Sequence, residues 1–142
     1  MTLITDTNII ISALIKDSVV RNILLLPNFN FLLPEFALEE IYRHKSKICR
    51  LSGIDKETLE LLITLILQNI NIIPKNEIMP YYDKAVKIIG KIDMGDVPFV
   101  ALALAVKNNG IWTNDRDFDN IKGIKVWKTA ELIKYLKEFS EK

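Results

Sequence analysis

Short apolar segments alternate with longer helix-like segments along the whole chain, and this alternation is what most constrains the fold. Strands are predicted at residues 2–5, 31–33, 71–74, 111–113 and 125–127. Helices are predicted at residues 7–26, with a break near 16–18, and at residues 34–50, 55–67, 80–90, 96–108 and 129–139. Strands that alternate with helices are typical of parallel sheets covered on both faces. The sequence therefore predicts an α/β fold, a three-layer α/β/α domain with a parallel sheet of about five strands.

Composition narrows the class of protein. The chain has 142 residues, 49% of them hydrophobic, which fits a single domain over residues 1–142 with a sizeable core. Its formal net charge is +1, so nucleic-acid binding would have to depend on local basic patches. A single cysteine, Cys49, and a single histidine, His44, exclude a disulfide framework within the chain and a zinc site of the usual Cys/His type. The natural location of such a protein is the reducing cytoplasm.

No association with a membrane is expected. The N-terminus has no basic region and reaches Asp6 at once, which is unlike a signal peptide. The longest apolar run, residues 97–106, contains Pro98 and is too short to span a bilayer. This run is better explained as a buried helix.

Four acidic residues lie where their carboxylates can converge. Asp6 and Asp115 follow predicted strands, Asp96 begins a predicted helix, and Glu40 lies near the start of another. Active sites of open α/β sheets lie beyond the carboxyl ends of the strands, so these residues can share one end of the sheet. Two carboxylates about 5 Å apart repel each other by roughly 3 kcal/mol at an effective dielectric constant of about 20. A site of oxygen ligands alone favours Mg²⁺ or Mn²⁺ as the ion that relieves this repulsion.

Two of these acids have an acidic neighbour in the same segment. We prefer Glu40 to Glu39 because Glu40 lies at the border of the predicted buried helix face, whereas Glu39 points away from it. We prefer Asp96 to Asp93 because Asp96 occupies the predicted N-cap position of its helix. Each choice predicts which carboxylate faces the shared cleft.

The acids after the fourth strand present the same choice. Asp115 follows the strand more closely than Asp117 and is therefore preferred. Any single aspartate in such a position is more often a turn former or a helix cap than a metal ligand. The metal site is indicated by the set of four in its order along the chain, and not by any one member.

The pattern resembles that of PIN domains, the nuclease fold of VapC-type toxins and related proteins. The resemblance covers essentially the whole chain. It is carried by residues 5–8 (TDTN), 34–41 (PEFALEEI), 93–103 (DMGDVPFVALA) and 112–118 (WTNDRDF). Each segment alone is weak evidence for this family, but all four together, in this order and spacing, are strong evidence.

The resemblance implies a function and a site. It implies an endoribonuclease that uses Mg²⁺ or Mn²⁺ to activate water and cleaves single-stranded RNA, leaving a 5′-phosphate and a 3′-hydroxyl. It also implies a homodimer and a small antitoxin partner. The expected catalytic residues are Asp6, Glu40, Asp96 and Asp115, of which Asp6, Asp96 and Asp115 would ligate the metal and Glu40 would position the attacking water. The expected supporting residues are Asn8, Asp93, Thr113, Asn114 and Asp117.

Four cationic side chains are candidates for RNA binding. Arg43, His44 and Lys47 lie three, four and seven residues after Glu40, so they share its side of the predicted helix. Arg116 adjoins the fourth acid. These residues either hold the phosphate backbone of a single strand or form an ordinary solvated surface, and the sequence leaves both readings open.

Other functions of the same fold are compatible with the sequence. The protein could be an RNA-processing or RNA-decay nuclease without an antitoxin, or a non-catalytic binding module in which the acids hold a structural ion. The complete set of acids argues against the binding module. Residues 58–67, which are rich in leucine and isoleucine, are explained either by core packing or by a dimer interface.

Overall fold

A computed structural model describes residues 1–15 and 18–140 of the chain and contains a five-stranded sheet. The strands are β1 (Thr2–Thr5), β2 (Asn30–Pro34), β3 (Ile70–Ile73), β4 (Ile111–Trp112) and β5 (Val126–Trp127). Their order across the sheet is β3-β2-β1-β4-β5, and every neighbouring pair is parallel. The predicted α/β fold with a parallel sheet of about five strands is therefore confirmed, although β3 lies one residue earlier than predicted.

Helices connect the strands. They are α1 (Thr7–Ile15), α2 (Ser18–Leu24), α3 (Glu35–Arg43), α4 (Lys45–Ser52), α5 (Lys56–Leu67), α6 (Lys75–Ile78), α7 (Tyr82–Ala85), α8 (Val97–Ala105) and α9 (Thr129–Ser140). Short 3₁₀ turns lie at Met79–Tyr81, Met94–Asp96 and Arg116–Phe118, and a π-helical segment lies at Val86–Gly90. No helix within the described ranges combines the length and the hydropathy needed to cross a membrane.

Three helix predictions differ from the structure or fall outside it. The predicted break near residues 16–18 falls mostly on Lys16 and Asp17, which lie outside the described residues. The helix predicted at residues 34–50 is two helices, α3 and α4, because His44 leaves the helical region at φ −101° and ψ 13°. The helix predicted at residues 80–90 begins earlier, at α6 after Pro74, and reaches Gly90 through the 3₁₀ turn and the π-helical segment.

The core fixes the strand ends that carry the acids. Leu3 and Ile4 of β1 are fully buried at the centre of the sheet, and residues 97–102 of α8 are buried against it. Trp112 at the end of β4 is fully buried, and its Nε1 donates a hydrogen bond of 3.0 Å to Thr129 Oγ1 at the start of α9. Close packing of this kind holds the ends of β1 and β4 in one relative position.

Candidate active site

A change in strand order creates a crevice at the carboxyl end of β1. β1 pairs with β2 on one side and with β4 on the other. The loops that follow β1 and β4 therefore begin side by side, at the point where the strand order reverses. The backbone N–H of Asp6 donates to the carbonyl oxygen of Trp112 at 3.1 Å, which ties the two strand ends together. Ligands of open α/β sheets bind at such a switch point.

Asp6 projects into this crevice from a buried position. Its side chain is 3% exposed, and its Oδ2 accepts a hydrogen bond of 2.6 Å from Thr113 Oγ1. Burial raises the pKa of Asp6, the hydrogen bonds from Thr113 and the Asn8 backbone oppose the rise, and the charges of Asp115 and Glu40 add to it. Asp115 and Glu40 therefore both lie within electrostatic range of Asp6.

Thr113 links the first acid to the fourth. Its hydroxyl donates to Asp6 and accepts a bond of 3.0 Å from the backbone N–H of Asp115. Because the same oxygen serves both neighbours, Thr113 fixes the rotamer of Asp6 and the start of the loop that carries Asp115. These contacts suit an orienting residue, and the supporting role of Thr113 stays a prediction.

Asp96 lies within electrostatic range of Asp6 and is 7% exposed. It occupies the N-cap position of α8, but its side chain makes no capping hydrogen bond, and its Oδ2 is buried with no hydrogen-bond partner among the described residues. The pKa of Asp96 is raised from 3.8 to about 8. Burial is the largest cause, followed by the neighbouring Asp117 carboxyl and by the charges of Asp93, Asp6 and Asp115. The predicted N-cap position of Asp96 is therefore confirmed, but its carboxylate does not cap the helix, and its Oδ2 is available to another partner.

The tightest group of acids is not the predicted one. Ligand oxygens of Asp93, Asp96 and Asp117 all lie within 4.8 Å of one another. Asp93 is held by a hydrogen bond of 2.8 Å from the Gly95 backbone, and the backbone of Asp117 donates to Asp115 Oδ1 at 2.9 Å. The 3₁₀ turns at 94–96 and 116–118 thus bring the two flanking acids against Asp96, although the sequence ranks both as supporting.

This donor set fits a hard divalent cation. The three grouped ligands are all carboxylates, and Asp6 and Asp115 lie close enough to shift the pKa of Asp96. Mg²⁺ and Mn²⁺ prefer oxygen ligands, and a cation would satisfy the buried Oδ2 of Asp96. The residues present therefore fit either of these ions.

Glu40 lies within electrostatic range of Asp6, and part of the predicted basic surface lies beside Glu40. Glu40 is half-buried and lines a cavity together with His44 and Lys47, both of which are exposed. Arg43 and Arg116 are also exposed, but they lie outside the lining of that cavity.

Glu39 takes a different place from its neighbour Glu40. It is exposed and forms an ion pair with Lys75, in keeping with the choice of Glu40 as the acid that faces the cleft.

The two predicted asparagines have different surroundings. Asn8 is exposed and lines the cavity beside Glu40 as well as a second cavity beside Asp115. Asn114 also borders that second cavity, but its amide exchanges two hydrogen bonds of 2.9 Å with Thr129, so it anchors the loop to α9. The Thr129 hydroxyl, at the start of α9, accepts hydrogen bonds from Asn114 and Trp112.

Sequence reasoning missed Lys128 and Leu51. Lys128 Nζ donates to the carbonyl oxygen of Asp115 at 3.1 Å and pairs with Asp119 at 2.7 Å, which holds the loop that carries the fourth acid. Leu51 lines the cavity beside Glu40 although it is 55% exposed. Neither position carries a sequence signal, because each depends on which loop or helix packs beside it.

Comparison with known proteins identifies the family. The sequence model of the PIN domain matches residues 4–137, which is almost the whole chain. This chain belongs to the PIN-domain family. No curated protein sequence matches it.

Solved structures agree with the PIN-domain assignment at the level of the fold. One similar structure is the crystal structure of VapBC2 from Rickettsia felis bound to a DNA fragment from their promoter. The match has a TM-score of 0.70 and 22% sequence identity, and it covers 90% of this chain and 98% of that chain. At this identity the likeness supports the PIN fold, and the roles of the acids stay predictions.

Proposed function

We propose that this PIN-domain protein is an endoribonuclease that requires Mg²⁺ or Mn²⁺ and cleaves single-stranded RNA as the toxin of a toxin–antitoxin pair. The observation that carries the proposal is the buried Asp96 carboxylate, whose Oδ2 has no hydrogen-bond partner within the described residues. Acids from three separate loops surround it, and its pKa is raised to about 8. A buried carboxylate of this kind is costly unless a cation compensates it, and such perturbed groups cluster at functional sites.

The donor set suggests which acids would bind the divalent cation. Asp96, with Asp93 and Asp117, would hold one divalent cation, and Asp6 and Asp115 would complete that site or hold a second ion. When bound, the cation activates water and neutralises charge that develops on the phosphate during displacement. We expect Asp6, oriented by Thr113, to keep one carboxylate oxygen fixed toward the crevice.

Glu40 is suited to act on the attacking water. It is half-buried at the rim of the crevice, close enough to Asp6 for its charge to affect the pKa of that residue. A carboxylate there would accept a hydrogen bond from water and hold it in line with the phosphorus. Attack breaks the bond between phosphorus and the 3′-oxygen, so water supplies the 5′-phosphate oxygen and the proton for the 3′-hydroxyl.

The proposal includes two protein partners. A small antitoxin is suggested by the similarity in fold to a chain of VapBC2 from Rickettsia felis. A second copy of the chain is suggested by α5, where Leu59, Ile63 and Ile66 face the core while Leu61 and Leu65 are 68% and 55% exposed. Two exposed leucines one helical turn apart form an apolar ridge that a homodimer would cover.

The test is cleavage of a labelled single-stranded RNA with Mg²⁺, with Mn²⁺ and with EDTA. We expect cleavage only with a divalent ion, and we expect Asp6→Asn to reduce its rate at least about 100-fold, since ligand and catalytic losses are of this size. Glu39→Gln is the matched control, because Glu39 is exposed and pairs with Lys75. Full activity of Asp6→Asn, or equal loss in Glu39→Gln, would contradict the assignment.

A further inference from the structure

A cavity of about 210 Å³ lies between α1, α3 and α4, and Glu40 is part of its lining. Its apolar side is formed by Ile11, Ile48 and Leu51. Ile48 is buried and Ile11 is half-buried, whereas Leu51 is 55% exposed. An exposed leucine at the wall of a cavity offers apolar surface to a ligand without being needed for the core.

The opposite rim of this cavity is polar and reaches the candidate active site. Glu40 and Asn8 line it, and the charge of Glu40 contributes to the raised pKa of Asp6. Asn8 also lines the second cavity, of about 280 Å³, together with Asp115. Asn8 therefore borders both cavities, one of which is also lined by Glu40 and the other by Asp115.

Two basic side chains complete the rim. His44 and Lys47 line the same cavity and are exposed, and Lys47 is in none of the salt bridges formed by the described residues. A positive charge there would attract a phosphate that would otherwise be repelled by the acids. An apolar wall, hydrogen-bonding groups and a cation within one small cavity match the three parts of a nucleotide.

We propose that this cavity binds the base and ribose of a nucleotide next to the RNA bond that is cut, with Leu51 against the base and Lys47 facing its phosphate. The inference rests on the proposed ribonuclease function and adds a subsite to it. A purely apolar partner, such as a leucine side chain of a bound protein, would leave Glu40, His44 and Lys47 without a role. The charged rim thus favours a nucleotide.

The experiment uses a labelled single-stranded RNA of about 20 nucleotides, whose cleaved bonds are first mapped with the wild-type protein. We expect Leu51→Ser to raise KM about fivefold with kcat changed less than about twofold, because a base contact is lost while the acids are untouched. Leu25→Ser is the matched control, since Leu25 is 47% exposed on another surface and should leave both constants unchanged. Leu51→Ala replaces the serine variant if the latter fails to fold.

A second substrate tests whether Leu51 meets a base. An abasic residue is placed on each side of the mapped bond in turn, and one of the two positions should raise KM of the wild type about fivefold. In Leu51→Ser the same abasic residue should have little further effect, because the contact is already gone. Independent, multiplying effects would overturn the subsite.

Other outcomes separate the failure of the subsite from the failure of the function. If the wild type cleaves RNA and Leu51→Ser has an unchanged KM, the subsite is wrong and the ribonuclease stands. If Leu51→Ser weakens binding of a protein partner and leaves RNA kinetics unchanged, the cavity is a protein-docking site. If the wild type neither binds nor cleaves RNA with Mg²⁺ or Mn²⁺, the proposed function itself fails.

Discussion

The raised pKa of Asp96 predicts how the stability of the metal-free protein depends on pH. The unfolded carboxyl titrates near 3.8 and the folded one near 8, so the folded state holds an extra proton between these values. The state that binds more protons loses stability as pH rises. The contribution of this carboxyl to the stability of the metal-free protein should therefore be greatest near pH 4 and be lost progressively up to pH 8.

The size of the effect follows from the same shift. Each pH unit in this window costs about 1.4 kcal/mol, so the change from pH 4 to pH 7 costs up to about 4 kcal/mol. Burial is the largest cause of this shift, and the side-chain hydrogen bond with Asp117 is the next. For a domain of this size the loss corresponds to a Tm lower by about 10 °C.

Asp96→Asn tests this reasoning directly. Asparagine has nearly the same shape and cannot ionise, and its amide can donate to Asp117 as the protonated carboxyl does. In EDTA, we expect Asp96→Asn to match the wild type near pH 4.5 and to exceed its Tm by about 10 °C at pH 7 to 8. Mg²⁺ should raise the Tm of the wild type at pH 8 and leave the variant unchanged.

The assay is thermal unfolding followed by circular dichroism across pH 4 to 8, with and without Mg²⁺. Asp83→Asn is the control, because Asp83 is an exposed acid on α7, outside the group of Asp93, Asp96 and Asp117. A variant Asp96→Asn that is less stable than the wild type at pH 8 without metal would refute the reasoning. So would an unchanged pH dependence in that variant.

Two further predictions concern residues that support the site. Thr113→Val removes the hydroxyl that donates a hydrogen bond of 2.6 Å to Asp6. We expect the affinity for Mg²⁺, measured by titration calorimetry, to fall about tenfold or more. An unchanged affinity would contradict the orienting role of Thr113. Gly110→Ala should destabilise the fold by several kcal/mol in urea unfolding, because φ is +132° and a Cβ would lie 2.5 Å from the Lys125 carbonyl oxygen. A loss below about 1 kcal/mol would contradict that reading.

The position of Asp6 could be predicted from local patterns. An apolar strand followed at once by an acid places that acid at the carboxyl end of the sheet, and the structure has Asp6 there, beside β4. The same logic places Asp115 in the loop after β4. Both predictions depend only on strand periodicity and on the parallel arrangement of the sheet, and both of these can be predicted from the sequence.

The grouping of Asp93 and Asp117 around Asp96 could not be predicted in this way. It depends on two 3₁₀ turns from distant parts of the chain meeting in space. A 3₁₀ turn advances the chain differently from an α-helix, so helical spacing does not show which acids two such turns bring together. Tertiary packing therefore chooses among neighbouring acids, whereas the sequence only marks the segment that contains them.

The separation of α3 from α4 has a similar cause. Apolar spacing continues from Ala37 through Ile41 to Ile48, which favours one helix, yet the chain turns at His44. The turn lets α4 pack on α1 and places Leu51 beside Glu40 in the cavity. A residue without a strong breaking propensity can end a helix when packing on both sides requires it.

The most direct test of the account is a crystal grown with Mn²⁺ and measured at a wavelength that gives anomalous scattering from manganese. We expect a strong anomalous peak bounded by Asp96, Asp93 and Asp117 or by Asp96, Asp6 and Asp115, and no peak at either position in Asp96→Asn. An active wild-type protein whose crystals carry no manganese among these carboxylates would contradict the claim that the acids hold the catalytic metal.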